Sequence, residues 1–144
     1  ESALINYQAL FHPQEYEEQL INMRQTAYKV MSLLKEYEPY LVGPVLTGTV
    51  NQGSEITLHL FTDTPELVVL FLEQNGIPAE TCERRLKIER QKPAYFTAYK
   101  FIAGELDVVL IVLPYLLKKS APIDPITDRA MQRANLKKVE KLIS

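Results

Sequence analysis

The run Leu106–Leu113, with the sequence LDVVLIVL, is the segment that most constrains the fold of this chain. It is apolar throughout except at Asp107. A strand that is buried on both faces has such an unbroken apolar sequence, whereas a strand with one face in water alternates apolar and polar residues. The run therefore predicts a central strand of a sheet.

The segments around this run predict further strands. The preceding sequence, AYFTAYKFIAGE, predicts the first arm of a hairpin that turns near residues 103–105. Residues 84–90 predict a polar edge strand. Residues 42–46 and 55–61 predict two short strands, which are joined by the turn-rich sequence TGTVNQGS.

Three segments predict helices. Residues 13–37 carry apolar side chains at alternating steps of four and three, which is the spacing of one helix face. The sequence TDTPELVVLFLEQNG has the end signals of a helix, with Asp63 or Thr64 as the N-terminal cap and Gly76 after the last turn. A last helix is predicted after a cap at Asp128. Its expected inward residues are Met131, Leu136, Val139 and Ile143.

The predicted order of elements is α-β-β-α-β-β-β-α, and no internal repeat, low-complexity tract or domain boundary interrupts it. We therefore expect an α+β fold, with a small mixed β-sheet flanked by helices. A chain of 144 residues that is 47% hydrophobic has the size and composition of one domain with its own core. We interpret residues 1–144 as a single domain.

The composition also predicts where in the cell the protein is found, and it excludes sites that need several cysteines. The chain has no apolar run of about 18 residues, and its first residues lack a basic start followed by an apolar stretch. We therefore expect no membrane contact and a cytoplasmic location. Cys82 is the one cysteine of the sequence, which excludes an internal disulfide and a zinc site built from several cysteines.

The charge balance gives nucleic acid no general support as a partner. The formal net charge is −2 at pH 7, so a polyanion would bind only through a local patch. Two basic clusters offer such patches, one within residues 84–92 and one within residues 129–141. We favour solvated surface for both, because charged side chains are almost never buried without a partner.

The segment LTGTVNQGSEITLHLF, residues 46–61, contains the pattern that carries chemistry. Small residues at Gly48 and Thr49 precede a strand on which Glu55 and Thr57 share one face, because strand side chains alternate. A later strand carries Asp107 in the sequence LDVV. This arrangement resembles the nucleotidyltransferase fold of the DNA polymerase beta superfamily. Members of that superfamily have a Gly-Ser turn, an acid-x-acid pair on the next strand and a third acid on a neighbouring strand.

The resemblance implies a nucleotidyltransferase that moves a nucleotidyl group from a nucleoside triphosphate to an acceptor which the sequence does not identify. It implies Glu55 and Asp107 as catalytic residues and ligands of Mg²⁺, a cation that prefers oxygen ligands. The nucleotide-binding residues that it implies are Gly48, Thr49, Gly53, Ser54, Thr57 and Lys87. Lys87 or Arg85 would neutralise the leaving pyrophosphate.

Two positions depart from the pattern of the superfamily. Glu55 is one methylene longer than the usual Asp, and Thr57 stands where the second acid is usual. A threonine hydroxyl is a neutral ligand and does not bridge two metal ions as a carboxylate does. The sequence therefore leaves open whether the reaction is retained, and it favours nucleotide binding over catalysis.

Two further polar residues have expected environments. Asp107 lies beside an apolar run, so we expect it to have a partner such as Lys100, an arginine or a metal. A structural ion pair is the more common of these outcomes. His59 shares the strand face of Glu55 and Thr57, and we expect it to face water, with a role as general base or metal ligand as the alternative.

A second hypothesis belongs to a different class of protein. The basic segment 84–92 beside Tyr95 and Tyr99 would suit an α/β interaction module that binds a protein or RNA partner, because aromatic residues next to basic ones on a sheet stack bases. The alternation of Tyr95, Thr97, Tyr99 and Phe101 is more simply one packed face of a strand.

Overall fold

A computed structural model of the protein describes residues 13–51, 53–88, 92–119, 122–124 and 129–144. It confirms the α+β class: a five-stranded mixed sheet with helices packed against one face. The strands are β1 Tyr40–Val42, β2 Ile56–Phe61, β3 Glu80–Leu86, β4 Ala94–Ala103 and β5 Leu106–Leu113. The helices are α1 Pro13–Leu33, α2 Pro44–Thr47, α3 Glu66–Gln74 and α4 Leu136–Ile143, with 3₁₀ turns at Lys35–Tyr37 and Tyr115–Lys119. Among the described residues no helix is long and apolar enough to span a membrane.

The sheet has the order β1-β2-β5-β4-β3, which makes β5 the middle strand, as its apolar sequence predicts. Strand β2 runs parallel to β5, with Ile56 opposite Val108 and Phe61 opposite Leu113. The other three pairs are antiparallel. Strands β4 and β5 form the predicted hairpin, and its turn uses Gly104 and Glu105, both at positive φ.

The main core lies between the helices and one sheet face. Residues Ile56, Leu58 and Leu60 of β2 lie on this face, next to Val108 and Leu110 of β5, and all five are fully buried. The opposite sheet face carries a smaller cluster of buried residues, namely Phe61, Ala98, Val109, Ile111 and Leu113. Strand β5 is therefore buried on both faces from Val108 to Leu113, which is why its sequence is apolar there.

The first strand lies earlier in the chain than predicted, at Tyr40–Val42. Residues 42–46 were expected to form a strand, but β1 ends at Val42 and the chain turns at Gly43, which has a φ of +79°. Pro44 then occupies the first turn of α2, where its missing N–H costs no hydrogen bond. The apolar residues Val45 and Leu46 are buried as predicted, but they are buried by a helical turn.

The helix caps also differ from those predicted. The N-cap residue of α3 is Pro65, without a side-chain cap hydrogen bond, and the Asp63 carboxylate instead accepts a hydrogen bond from the Tyr115 N–H at 3.0 Å. Helix α4 begins later than predicted, because the Asn135 side chain caps it by accepting from the Lys138 N–H at 3.0 Å. The predicted cap Asp128 lies outside the described residues.

Two other predicted segments are displaced along the chain. The edge strand expected at residues 84–90 is β3, which begins at Glu80 because it pairs with β4 from Lys100 to Ala94. Residues 89–91 lie outside the described part. Met131 was expected in the last helix but lies in an irregular segment before it, half-buried.

Candidate functional site

The structure places Glu55 and Asp107 at the same end of two neighbouring parallel strands. Glu55 directly precedes Ile56, and Asp107 directly precedes Val108. Ile56 and Val108 lie opposite each other in the parallel pairing of β2 and β5. Because aligned residues of parallel strands point to the same side, Glu55, Thr57 and Asp107 share the sheet face that lies opposite the helices. The three positions of the acidic motif are thus brought together by the fold.

The carboxylate of Glu55 is held by two cations from the far strands of the sheet. Arg84 on β3 donates two parallel hydrogen bonds to it, from Nη1 to Oε1 at 3.2 Å and from Nη2 to Oε2 at 3.3 Å. Lys100 on β4 places its Nζ 3.5 Å from Oε2. Hydrogen bonding to Arg84 lowers the pKa of Glu55 against the opposing effect of partial burial, and the charges of Arg84 and Lys100 lower it further. The same hydrogen bonds raise the pKa of Arg84.

These contacts do not fit a magnesium ion on Glu55. Both of its oxygens already face fixed cations, and Thr57 brings no negative charge to the same face. A divalent cation at this carboxylate would be repelled by Arg84 and Lys100. In the ranges that the structure describes, no three His, Cys, Asp or Glu side chains are grouped so that they could hold a metal ion. The Mg²⁺ site at Glu55 and Asp107 stays a prediction that this geometry does not favour.

Asp107 lies at a more open place than its apolar neighbours imply. It is half-exposed, and it borders a shallow cleft of about 590 Å³ together with Glu80, Lys100 and Ile102. Within the described residues no cation lies at ion-pair distance from its carboxylate, because Lys100 turns to Glu55 instead. The expectation that Asp107 forms a structural ion pair is therefore wrong. Its charge is tolerated because the carboxylate is partly in contact with water.

The turn before β2 is fixed by side chains of α1. Arg24 donates from Nε to the carbonyl of Val45 at 2.9 Å and from Nη2 to the carbonyl of Leu46 at 2.8 Å. The Tyr16 hydroxyl donates to the carbonyl of Gly48 at 2.5 Å. The last carbonyls of a helix have no partner within the helix, so these bonds satisfy the end of the single turn of α2. Gly48 follows at a φ of +82°, which favours glycine.

The backbone N–H groups of the four loop residues predicted to bind nucleotide already donate hydrogen bonds within the protein. Those of Gly48 and Thr49 both donate to the carbonyl of Pro44, at 2.8 and 3.0 Å. The Gly53 N–H donates to the Asn51 side chain at 2.8 Å, and the Ser54 N–H to the Asn51 carbonyl at 3.1 Å. These four residues lie in the loop that leads to Glu55, and phosphate would reach their N–H groups only after these bonds break.

Lys87 was predicted to lie at the site, but the basic residue of β3 that contacts Glu55 is Arg84. Lys87 is exposed one residue beyond the end of β3, and its carbonyl accepts from the Ile123 N–H at 2.8 Å. Arg85 points to the opposite side of β3 from Arg84, since neighbouring strand residues alternate. The pairing of Cys82 with Ala98 and of Arg84 with Phe96 sets which basic residues of β3 face Glu55. The sequence contains no signal for this register.

His59 was expected to face water, and that expectation is wrong. Its side chain is 1% exposed, on the sheet face that carries Phe61 and Ile111. Burial, together with the nearby charge of Arg133, lowers the pKa of His59 to about 4. Arg133 lies over the ring of Tyr40 at 4.9 Å, and the buried atoms His59 Nδ1 and Arg133 Nη1 have no hydrogen-bond partner among the described residues. His59 is thus a buried neutral residue, away from the carboxylate cluster.

A scan against models of known protein families, a search of curated proteins and a search of solved structures each found no match.

Proposed function

We propose that this protein is a nucleotide-binding domain of the nucleotidyltransferase type that has lost nucleotidyl transfer. The observation that carries the proposal is the position of Glu55 and Asp107, which lie on one sheet face at the same end of the neighbouring parallel strands β2 and β5. The superfamily that the sequence resembles has its acids in this placement. The placement depends on the parallel pairing of β2 and β5, which lie far apart along the chain.

The loss of transfer follows from the chemistry of the three motif positions. Two-metal transfer needs carboxylates that bridge the ions, and Thr57 offers a hydroxyl at the position of one of them. Glu55 is neutralised by Arg84 and Lys100, which leaves Asp107 as the one motif acid without a cation among the described residues. A nucleoside triphosphate would therefore be a ligand of this domain, and no acceptor would be needed.

The experiment is thermal unfolding of the protein with ATP, CTP, GTP or UTP, each in Mg²⁺, Mn²⁺ or EDTA, with inorganic pyrophosphate as the comparison. A ligand that binds the folded state alone raises the unfolding midpoint by mass action. We expect at least one nucleotide to raise the midpoint more than pyrophosphate does, because the base and sugar add contacts. Failure of all four nucleotides under every metal condition would contradict the proposal.

One observation favours an interaction module as the second candidate function. Tyr95 is 66% exposed on β4, and its register partner on β3 is Arg85, so an aromatic ring and a guanidinium lie side by side on one face. Of the predicted packed face, only Tyr99 and Phe101 are buried. The exposed pair Tyr95 and Arg85 suits stacking on RNA bases.

The Tyr95→Ala variant tests this second function. We expect the wild-type protein to bind single-stranded RNA at low salt with strong salt dependence, and the variant to lose about tenfold in affinity because one stacked base is lost. Fluorescence anisotropy with a labelled oligonucleotide measures this. The variant Tyr28→Ala, which removes a half-buried tyrosine of α1, is the control. If the wild-type protein does not bind RNA at low salt, the interaction module would have to bind a protein instead.

A further inference from the structure

The carboxylate of Glu55 lies between two cations in the way that a bound oxyanion does. Arg84 contacts it through two parallel hydrogen bonds, and this fork is the arrangement in which arginine also binds phosphate. Lys100 adds a second positive charge, with its Nζ 3.5 Å from Oε2, the oxygen that also accepts from Arg84 Nη2. The cluster thus contains the parts of a phosphate site, with a carboxylate of the protein itself as the anion.

We propose that Arg84 and Lys100 form a phosphate site which works without a divalent metal, and that the Glu55 carboxylate occupies this site until a ligand phosphate displaces it. The proposal rests on the proposed function for its ligand, a nucleotide, and it names the part of the nucleotide that is recognised. In the superfamily that the sequence resembles, the corresponding acid is a metal ligand. Here its contacts assign it the opposite role, as a competitor of the phosphate.

The three side chains are accessible to a ligand in water. The exposed fractions are 35% for Arg84, 36% for Lys100 and 25% for Glu55. Glu55 follows the loop that contains Gly53 and Ser54 and comes directly before the first residue of β2. Its side chain can therefore rotate away without breaking a pairing within the sheet. The two cations are fixed more firmly, because Arg84 and Lys100 lie inside β3 and β4.

The surrounding charges explain why the ligand must carry more than one negative charge. Asp107 borders the same cleft as Lys100, and Glu80 is the register partner of Lys100. With Glu55 present, three carboxylates outnumber the two cations, so a singly charged anion gains little by entering. A diphosphate group places more charge near Arg84 and Lys100 than the single carboxylate of Glu55 that it displaces.

The decisive experiment is isothermal titration with inorganic pyrophosphate in EDTA, for the wild-type protein and for Glu55→Gln. Glutamine keeps the size of the side chain and removes the competing charge, so we expect the affinity of Glu55→Gln for pyrophosphate to rise about tenfold. Arg84→Gln, placed in the Glu55→Gln background, should remove this gain. Glu83→Gln makes the same change in net charge on the exposed, opposite side of β3 and should leave the affinity as in the wild type.

Each outcome either supports or overturns the proposal. An unchanged or lower affinity in Glu55→Gln, a need for Mg²⁺, or an equal gain in Glu83→Gln overturns it. Lys100→Gln gives a second measurement should Glu55→Gln not fold, and retained wild-type affinity in Lys100→Gln also overturns the proposal. If pyrophosphate binds as predicted but ATP binds no more tightly, the phosphate site stands and nucleotide recognition fails. If ATP binds only with Mg²⁺ and Glu55→Gln abolishes that binding, nucleotide recognition stands and the phosphate site fails.

Discussion

Lowering the pH from 7 to 4 is expected to reduce the free energy of unfolding by about 3 kcal/mol through His59 alone. The pKa of His59 is about 4 in the folded protein, against 6.5 in the unfolded chain. Above pH 6.5 the side chain is neutral in both states, and the full stability is present. Below pH 6.5 the unfolded chain binds a proton that the folded protein does not, so stability falls until the pH reaches about 4. Burial is the main cause, and the nearby charge of Arg133 adds to it.

Urea unfolding at a series of pH values, for the wild-type protein and for His59→Leu, measures this effect. Leucine is apolar like Ile111, the register partner of His59, and it does not titrate. Carboxylates such as Glu55 also titrate as the pH falls, but they are common to both proteins and cancel in the difference. We expect the stability of His59→Leu to fall less steeply between pH 6.5 and 4. Parallel curves for the two proteins would mean that His59 is accessible to protons in the folded state.

The second large effect is expected from Arg24→Met, which should reduce the free energy of unfolding by about 2 kcal/mol. Arg24 donates two hydrogen bonds to carbonyls at the end of α2, and methionine leaves Val45 and Leu46 without these donors. Hydrogen bonds from a charged donor contribute about 1.5 to 3 kcal/mol each, and we expect less than the sum of two because the side chain is only half-buried and water partly replaces it. The loop before Glu55 should loosen at the same time.

Urea unfolding at pH 7 also measures this prediction, with Lys29→Met as the matched control. Lys29 is exposed on the same helix, so the control removes an equal charge without affecting the contact with α2. A loss below about 0.5 kcal/mol in Arg24→Met, comparable with an ordinary surface substitution, would show that water replaces the guanidinium at these carbonyls without cost.

The candidate site was only partly predictable from the sequence. The alternation of strand side chains was sufficient to predict that Glu55 and Thr57 share a face. That Asp107 lies on the same face depends on the parallel register of β2 and β5, which no local pattern determines. The cations that bind Glu55 were not predictable, because their positions depend on how β3 and β4 pair. Lys100 had been considered as a partner for Asp107, and it lies instead at Glu55. Arg84 lies in the basic cluster within residues 84–92, where no local pattern distinguishes one basic residue from another.

The sequence by itself determined the α+β class, the central position of Leu106–Leu113, the hairpin that precedes it and the long first helix. These features follow from local rules, since apolar periodicity and turn residues act over a few positions of the chain. Tertiary structure alone decided the burial of His59, the ion pairs of Glu55 and the helical turn at Pro44–Thr47. Each depends on contacts between segments far apart in sequence. Strand register and packing determine which side chains meet there, and the local sequence does not distinguish among them.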